Sequence, residues 1–213
     1  MAASSCAPSG STSEAQLSRI IEVAPERLER WLAGFAERHQ GVVEADDTRA
    51  VGGDGASVAF DRFAFDPLGI VLVRRGGYAC ALAPEGQITV SKVGTRHVQS
   101  RTAAGGWSQQ RFARRRGNQA DALADAVAGH ALRILLHGNE SPGSGTGGIP
   151  AGLVIGGDRA MVAKVLADSR LRALADLPRR ELYDLPDPRR DVLERALERG
   201  RSVRVRLDEP AAT

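Results

Sequence analysis

Residues 69–82 read GIVLVRRGGYACAL, and this stretch decides the fold class. It contains two apolar runs, at residues 69–74 and 78–82, on either side of the turn signal Arg75-Gly76-Gly77. Runs of this length around a glycine-rich turn are typical of a β-hairpin. Three further runs rich in β-branched and aromatic residues surround it, at residues 58–65, 87–93 and 97–101. Because tight turns such as Pro84-Glu85-Gly86 separate these runs, we predict an antiparallel β-meander.

The spacing of the apolar residues changes after the meander. Apolar residues at helical spacing predict a long helix from Gln110 to about Leu136. Its stripe consists of Leu123, Ala126, Val127, His130, Ala131 and Ile134. Residues 138–150 are rich in Gly, Ser and Pro, which predicts a linker. The remaining predicted elements are a buried strand at 153–155, a helix that follows Gly156-Gly157 with Asp158 as its N-cap, a helix at 188–199 and an alternating strand at 202–207.

The chain before the meander is predicted to form a tail, a helical segment and a loop. Residues 1–13 consist largely of Ala, Ser, Gly and Thr, a composition typical of disorder. Residues 14–38 are predicted to be helical, with a break at Pro25. The spacing of one buried face supports this helix, and its members are Leu28, Trp31, Leu32 and Phe35. Residues 40–57 are predicted to be a loop.

Together these elements predict an α/β fold of the α+β kind. We expect a mixed sheet that begins with the antiparallel meander, is covered by helices and is preceded by the N-terminal helices. The predicted divisions of the chain are a disordered tail at 1–13, a helical segment at 14–40, one large domain at 50–207 and a tail at 208–213.

The composition is that of an ordinary globular protein. Hydrophobic residues make up 42% of the chain, charged residues 26%, and the formal net charge is +3. The sequence shows neither a signal-peptide pattern nor an apolar run long enough to span a bilayer, so we predict a cytoplasmic protein without a membrane partner. Cys6 and Cys80 lack metal-ligand spacing, and Cys80, in a predicted strand, is interpreted as a buried free thiol.

The strongest local feature is a window without carboxylates. No Asp or Glu occurs from Gly86 to Ala120, although basic and acidic residues are nearly balanced in the whole chain, 29 against 26. The basic residues of the window are Lys92, Arg96, Arg101, Arg111, Arg114, Arg115 and Arg116. A surface of this kind attracts polyanions such as RNA. The alternative is a solvated helix face that binds nothing.

Inside this window, residues 103–110 read AAGGWSQQ. Gly105 and Gly106 allow the backbone to approach a ligand closely. The carboxamide that follows them can donate and accept hydrogen bonds at the same time. The alternative is a flexible loop before a helix, with Ser108 as the N-cap of that helix.

The segment 105–116, GGWSQQRFARRR, resembles the motif of the actinobacterial Vms-like release factors. These are peptidyl-tRNA hydrolases related to the catalytic domain of eukaryotic and archaeal class-1 translation termination factors. The termination factors carry Gly-Gly-Gln directly, whereas Trp107 and Ser108 stand between Gly106 and Gln109 here. The order of predicted elements over about residues 50–207 is also similar to that domain. The resemblance therefore implies a ribonuclease-H-like arrangement and a catalytic domain over these residues.

The resemblance also implies an activity, namely hydrolysis of the peptidyl-tRNA ester in the rescue of stalled translation. The implied partners are peptidyl-tRNA and the large ribosomal subunit, and no cofactor or metal is expected. By the resemblance, Gln109 positions the hydrolytic water, while Gly105 and Gly106 let the loop enter a crowded site near the tRNA 3′ end. Ser108 is expected to cap the helix or to contact the substrate.

The expected RNA-binding residues are Trp107, Gln110, Arg111, Arg114, Arg115, Arg116, Arg101, Arg96 and Lys92. The arginines would grip the tRNA backbone or ribosomal RNA. For Trp107 two interpretations stay open, because its ring can stack on a terminal base or pack the loop onto the sheet.

Two other functions stay open from the residues alone. They are a ribonuclease that cuts tRNA near its 3′ end and a non-catalytic RNA- or ribosome-binding module. A nuclease of the ribonuclease-H type needs clustered carboxylates to hold metal ions, whereas Asp61, Asp66 and Asp158 are scattered along the sequence. His130 is interpreted as a hydrogen-bonded core histidine rather than a catalytic one. The sequence makes no prediction of the oligomeric state.

Overall fold

The computed structural model describes residues 19–95, 108–137 and 149–209. In chain order the elements are β1 (Arg19–Val23), α1 (Leu28–Arg38), β2 (Val42–Ala45), β3 (Arg49–Gly52), β4 (Ser57–Asp61), β5 (Leu68–Arg74), β6 (Gly77–Ala83), β7 (Val90–Thr95), α2 (Ser108–Ala131), β8 (Gly152–Gly157), α3 (Arg159–Leu166), β9 (Arg179–Leu182), α4 (Arg190–Arg201) and β10 (Val203–Asp208). Helices and two sheets make this an α+β fold, so the predicted fold class is confirmed.

The chain folds into two compact units. The first contains the residues up to Asp61 together with those from Val203 onward, and the second runs from Arg62 to Ser202. The ends of the large domain predicted at 50–207 thus belong to the first unit. None of the helices within the described ranges has the length and apolarity needed to cross a bilayer.

The first unit is an antiparallel sheet with the strand order β1-β10-β4-β3-β2. In β10, Val203 and Val205 are buried while Arg206 is exposed, which is the alternation that the sequence predicts. Helix α1 covers the apolar face of the sheet with the buried side chains of Leu28 and Phe35. This core is separate from the two cores of the second unit.

The N-terminal segment differs from its prediction. Within the helix expected over 14–38, residues Arg19–Val23 form β1, and α1 begins only at Leu28, after a 3-10 turn. Ile20, Ile21 and Val23 prefer extended backbone, and pairing with β10 satisfies their backbone groups. The loop expected over 40–57 contains β2 and β3, which are too short to give a clear alternation.

The second unit is a five-stranded mixed sheet in the order β7-β6-β5-β8-β9. Strands β5, β6 and β7 are antiparallel neighbours, whereas β8 and β9 continue the sheet in parallel. Arg74 pairs with Gly77, which leaves Arg75-Gly76 as a two-residue turn and confirms the predicted hairpin. The ribonuclease-H-like arrangement stays a prediction.

Both faces of this sheet are covered by helices. Val71 and Val73 of β5 pack against α2 and α3, whereas Ile70 and Leu72 pack on the opposite face, against α4. The sequence of β5 is therefore continuously apolar rather than alternating. On α2, the predicted stripe is confirmed by the buried side chains of Leu123, Val127, Ala131 and Ile134.

Three further elements differ from the predictions. The strand expected at 58–65 ends at Asp61 and belongs to the first unit, so the described meander starts at β5. Strand β7 begins at Val90 rather than at residue 87, and β9 is not predicted at all because its four residues include two arginines. The strand expected at 97–101 lies outside the described residues. The predicted long helix is confirmed as α2, continued by a π-helical turn at Leu132–Leu136.

Candidate nucleic-acid interface

The motif predicted from the sequence leads directly into α2. Strand β7 ends at Thr95 and α2 begins at Ser108, so Ser108, Gln109 and Gln110 are the first three residues of the helix. Five of the predicted site residues lie outside the described residues, namely Arg96, Arg101, Gly105, Gly106 and Trp107. The backbone of Gln109 is thus held by a regular element of 24 residues.

The start of α2 is strongly positive. Its first turn contains no acidic residue and ends with Arg111, and Arg114, Arg115 and Arg116 follow within the next two turns. Arg114 is exposed. The N-terminus of a helix already carries about half a positive charge from the aligned peptide dipoles, so cations near it are unfavourable without an anion. This distribution of charge favours a bound polyanion over an unliganded surface.

The acidic residues of α2 come later and are paired with cations. Asp121 forms an ion pair with Lys164 of α3. Asp125 accepts a hydrogen bond of 2.5 Å from Arg170, which also binds Asp168 at 2.6 Å. The hydrogen bonds from Arg170 lower the pKa of Asp168 to about 2. These carboxylates are therefore occupied by α3 and the segment after it, and do not neutralise the arginines at the helix start.

Helix α2 is anchored through its second half. The first of its described side chains to pack against the core is Ala120, and Leu123 and Val127 follow in the same cluster as Cys80 of β6. The twelve residues before Ala120 correspond to about 18 Å of helix. Because α2 is one continuous helix, packing of its second half also fixes the direction of its basic first half.

His130 lies near the other end of α2 and is fully hydrogen-bonded. Arg133 donates from Nη2 to His130 Nδ1 at 2.6 Å. Because a guanidinium has only donors, the proton of the neutral ring lies on Nε2, which donates to Tyr78 Oη at 2.8 Å. The rings of Tyr78 and His130 are stacked, with centroids 5.1 Å apart. His130 is therefore hydrogen-bonded at both ring nitrogens, as interpreted from the sequence, but it is only partly buried rather than a core residue.

Lys92, a predicted RNA-binding residue, lies beside this histidine. It is exposed on β7, on the sheet face that α2 covers, because it pairs with the buried Cys80. Burial lowers the pKa of His130, and the charges of Arg133 and Lys92 lower it further. We call Lys92, His130 and Arg133 the Lys92 cluster. The sequence pointed to Lys92 and His130 but missed Arg133, whose place depends on the π-helical turn.

The remaining candidates have structural roles. Asp158 caps α3 by accepting hydrogen bonds from the backbone of Ala160 and Met161, as predicted. Asp66 accepts one from the backbone of Glu85. Burial raises the pKa of the Cys80 thiol to about 12, so Cys80 is not a nucleophile near neutral pH. Within the described ranges, no three His, Cys, Asp or Glu side chains come together as a metal site.

Comparison with known proteins identifies one family. Residues 66–206 match the family described as the Actinobacteria/chloroflexi VLRF1 release factor. The matched region is about two thirds of the chain and contains β5 to β9, the glycine–glutamine motif and α2. A search of curated proteins returned no match.

Proposed function

Since this chain belongs to the Actinobacteria/chloroflexi VLRF1 release factor family, we propose that it hydrolyses the ester of peptidyl-tRNA and so releases the nascent peptide. Its partners are peptidyl-tRNA and the large ribosomal subunit, and it acts in the cytoplasm in the rescue of stalled ribosomes. One observation carries the proposal. The Gly-Gly-Trp-Ser-Gln-Gln motif ends in the first turn of a helix that has no acid there and continues with four arginines.

Hydrolysis of this ester can be promoted by a carboxamide side chain and by the backbone N–H groups at the start of a helix. A peptidyl-tRNA ester is already activated, so hydrolysis needs mainly a positioned water and stabilisation of the oxyanion. The Gln109 side chain accepts a hydrogen bond from the water and can donate one to the reacting oxygen. The backbone N–H groups of the first four helix residues have no acceptor within the helix, and they supply donors for developing negative charge.

The basic residues hold the RNA while this reaction takes place. Arg111, Arg114, Arg115 and Arg116 follow the motif without an intervening acid, so phosphates next to the 3′ end meet positive charge. Gly105 and Gly106 let the backbone approach the ester, and Trp107 stacks on a terminal base.

The test is peptide release from ribosome-bound and from free peptidyl-tRNA. Gln109→Ala is expected to lower kcat by about 100-fold or more, the cost of removing one positioned hydrogen-bonding group. Gln110→Ala is the matched comparison, because it removes the same side chain one position further along α2. It is expected to raise KM while kcat stays within a few fold. Release by Gln109→Ala at the rate of the parent protein would refute the mechanism.

The RNA product separates this activity from the nuclease alternative. Ester hydrolysis leaves the tRNA 3′ end intact, whereas a nuclease shortens it. We therefore expect tRNA recovered after peptide release to keep its full length and to accept an amino acid again. A truncated product that forms at the rate of peptide release would overturn the proposal.

A further inference from the structure

The Lys92 cluster forms a second basic surface, far from the start of α2. On β7, Lys92 and Gly94 lie on the sheet face that α2 covers, opposite Cys80 and Tyr78 respectively. A Cβ at Gly94 would lie 2.5 Å from two carbons of the Tyr78 ring, so only glycine lets that ring lie over β7. The ring is held between the strand and His130, and this fixes the imidazole beside Lys92.

Arg133 is oriented by this arrangement rather than by a carboxylate. Its Nη2 donates to His130 Nδ1, and this is the one hydrogen bond of its five N–H donors to the described residues. The neighbouring Arg170 uses both nearby carboxylates, Asp125 and Asp168. Arg133 and Arg170 lie close together, since a Cβ at Gly129 would be 3.9 Å from Nη1 of the first and 4.0 Å from Nη1 of the second.

Among the residues that the structure describes, the cluster concentrates positive charge without a paired carboxylate. In the described part of the chain, no carboxylate forms an ion pair with Lys92 or Arg133, although both are exposed. Lys164 and Arg170, two cations that contact α2 from α3 and the segment after it, are both paired with carboxylates. An ammonium and a planar guanidinium that both lie near one imidazole suit a phosphate, which accepts several charge-assisted hydrogen bonds at once.

We propose that Lys92, His130 and Arg133 bind a phosphate in the duplex part of the RNA whose 3′ end is held at the start of α2. The identity of that RNA as peptidyl-tRNA rests on the function proposed above. His130 is a positioning residue that aims Arg133, while Lys92 and Arg133 contact the phosphate.

The spacing along α2 favours one long ligand over two small ones. His130 follows Ser108 by 22 residues, which corresponds to about 33 Å of helix. A single helix fixes this distance. A rigid RNA duplex of about that length, followed by a single-stranded 3′ end, would reach both places at once. The two basic surfaces would therefore measure the length of the duplex arm.

The experiment compares two RNA hairpins with the same single-stranded 3′ end. One has a stem as long as a complete acceptor arm, and the other has a stem of less than half that length. Lys92→Ala with Arg133→Ala is expected to weaken binding of the long hairpin about tenfold. It should also reduce the slope of log affinity against log salt by about 2, one for each lost phosphate contact. Binding of the short hairpin should stay unchanged.

A matched control removes two charges elsewhere. Arg189 and Arg195 are exposed, and they lie at the start of α4 and within it, on the opposite face of the sheet. Arg189→Ala with Arg195→Ala is expected to leave the binding of both hairpins as in the parent protein. Lys92→Arg, which keeps the charge, should retain binding of the long hairpin. The thermal unfolding midpoint of each variant verifies that it is folded.

Two results would overturn the proposal: equal losses for long and short hairpins, or no loss for either. The test needs no catalysis, so its failure is distinguishable from failure of the proposed function. If the parent protein releases no peptide but shows the stem-length effect, the hydrolase proposal fails and this site stands. If peptide release is normal and the double variant binds the long hairpin like the parent, this site alone fails.

Discussion

At the scale of single residues, two glycines differ in whether their surroundings leave room for a side chain. Gly94 of β7 lies under the Tyr78 ring, where a side chain would collide with it. Gly117, within α2, has open space around it. In a helix, glycine is less favourable than alanine because it loses more backbone freedom on folding. The two positions therefore respond differently to the same substitution.

We expect Gly94→Ala to destabilise the protein by about 1–3 kcal/mol, because the ring must leave its place against His130. Gly117→Ala should stabilise it by up to about 1 kcal/mol. Chemical denaturation followed by circular dichroism measures both changes. A Gly94→Ala variant as stable as the parent protein would contradict the placement of Tyr78 over β7.

His130 gives the stability a pH dependence. Burial, Arg133 and Lys92 lower its pKa below the value of about 6.5 that it has in the unfolded chain. Between these two values the unfolded state binds the proton more tightly. The contribution of His130 to the free energy of unfolding is therefore fully present above pH 6.5. It is lost as the pH drops from 6.5 through the pKa of the folded state.

The comparison with His130→Gln tests this dependence. The free energy of unfolding of the parent protein should fall more steeply between pH 7.5 and 5 than that of the variant. Tyr78, Lys92 and Arg133 stay in place in both proteins, so the difference in slope reports the histidine. Identical slopes would show that His130 titrates alike in the folded and unfolded chains.

At the scale of elements, the charged residues of α2 are arranged unfavourably for its helix dipole. Arginines dominate its first half, whereas its acids, Asp121 and Asp125, come later and are paired. A helix selected only for stability has acids first and bases last. The order in α2 is explained if the first half binds a polyanion, and stability is then given up for binding.

Arg111→Glu tests this compromise. It places an acid at the end of the first turn and changes the like-charge pair with Arg115, four residues on, into an attractive one. We expect the protein to become more stable by about 0.5 kcal/mol and to bind RNA more weakly. Arg111→Gln removes the cation without adding an acid and should give a smaller change in both measurements. Unchanged RNA affinity in Arg111→Glu would contradict an RNA-binding helix start.

At the scale of the whole molecule, the chain builds two units with separate cores. The first core contains Phe35 of α1 and Val205 of β10, whereas Leu193 of α4 belongs to the second unit. β10 is the last strand in the chain, yet it lies between β1 and β4 in the first sheet. The ends of the described chain therefore meet in one unit, and the family match to residues 66–206 covers the other unit entirely, apart from its first four residues.

Separate cores predict separate responses to core mutations. Phe35 is completely buried, so Phe35→Ala is expected to cost about 3–5 kcal/mol. Hydrogen exchange should then increase in β1, β3, β4 and β10 and stay unchanged in β5, β6 and β8. Leu193→Ala should reverse this pattern. Uniform loss of protection in either variant would show that the two units unfold as one.

The sequence by itself determined the elements whose pattern is local. The hairpin of β5 and β6 follows from two apolar runs around Arg75-Gly76, and α2 from one continuous helical stripe. Asp158 was recognised as a cap because capping joins residues only two or three positions apart. The motif at residues 105–110 identified the family for the same reason, since its chemistry lies in consecutive residues.

Only the tertiary structure decided what depends on distant partners. Residues Arg19–Val23 are a strand because β10, at least 180 residues later, pairs with them. Strand β9 exists because β8 offers it a parallel edge, although its own sequence is half arginine. The Lys92 cluster needs a strand, a neighbouring glycine and a helix at once. Local patterns fix local backbone, whereas edges and clusters are set by pairing and packing between segments far apart in the chain.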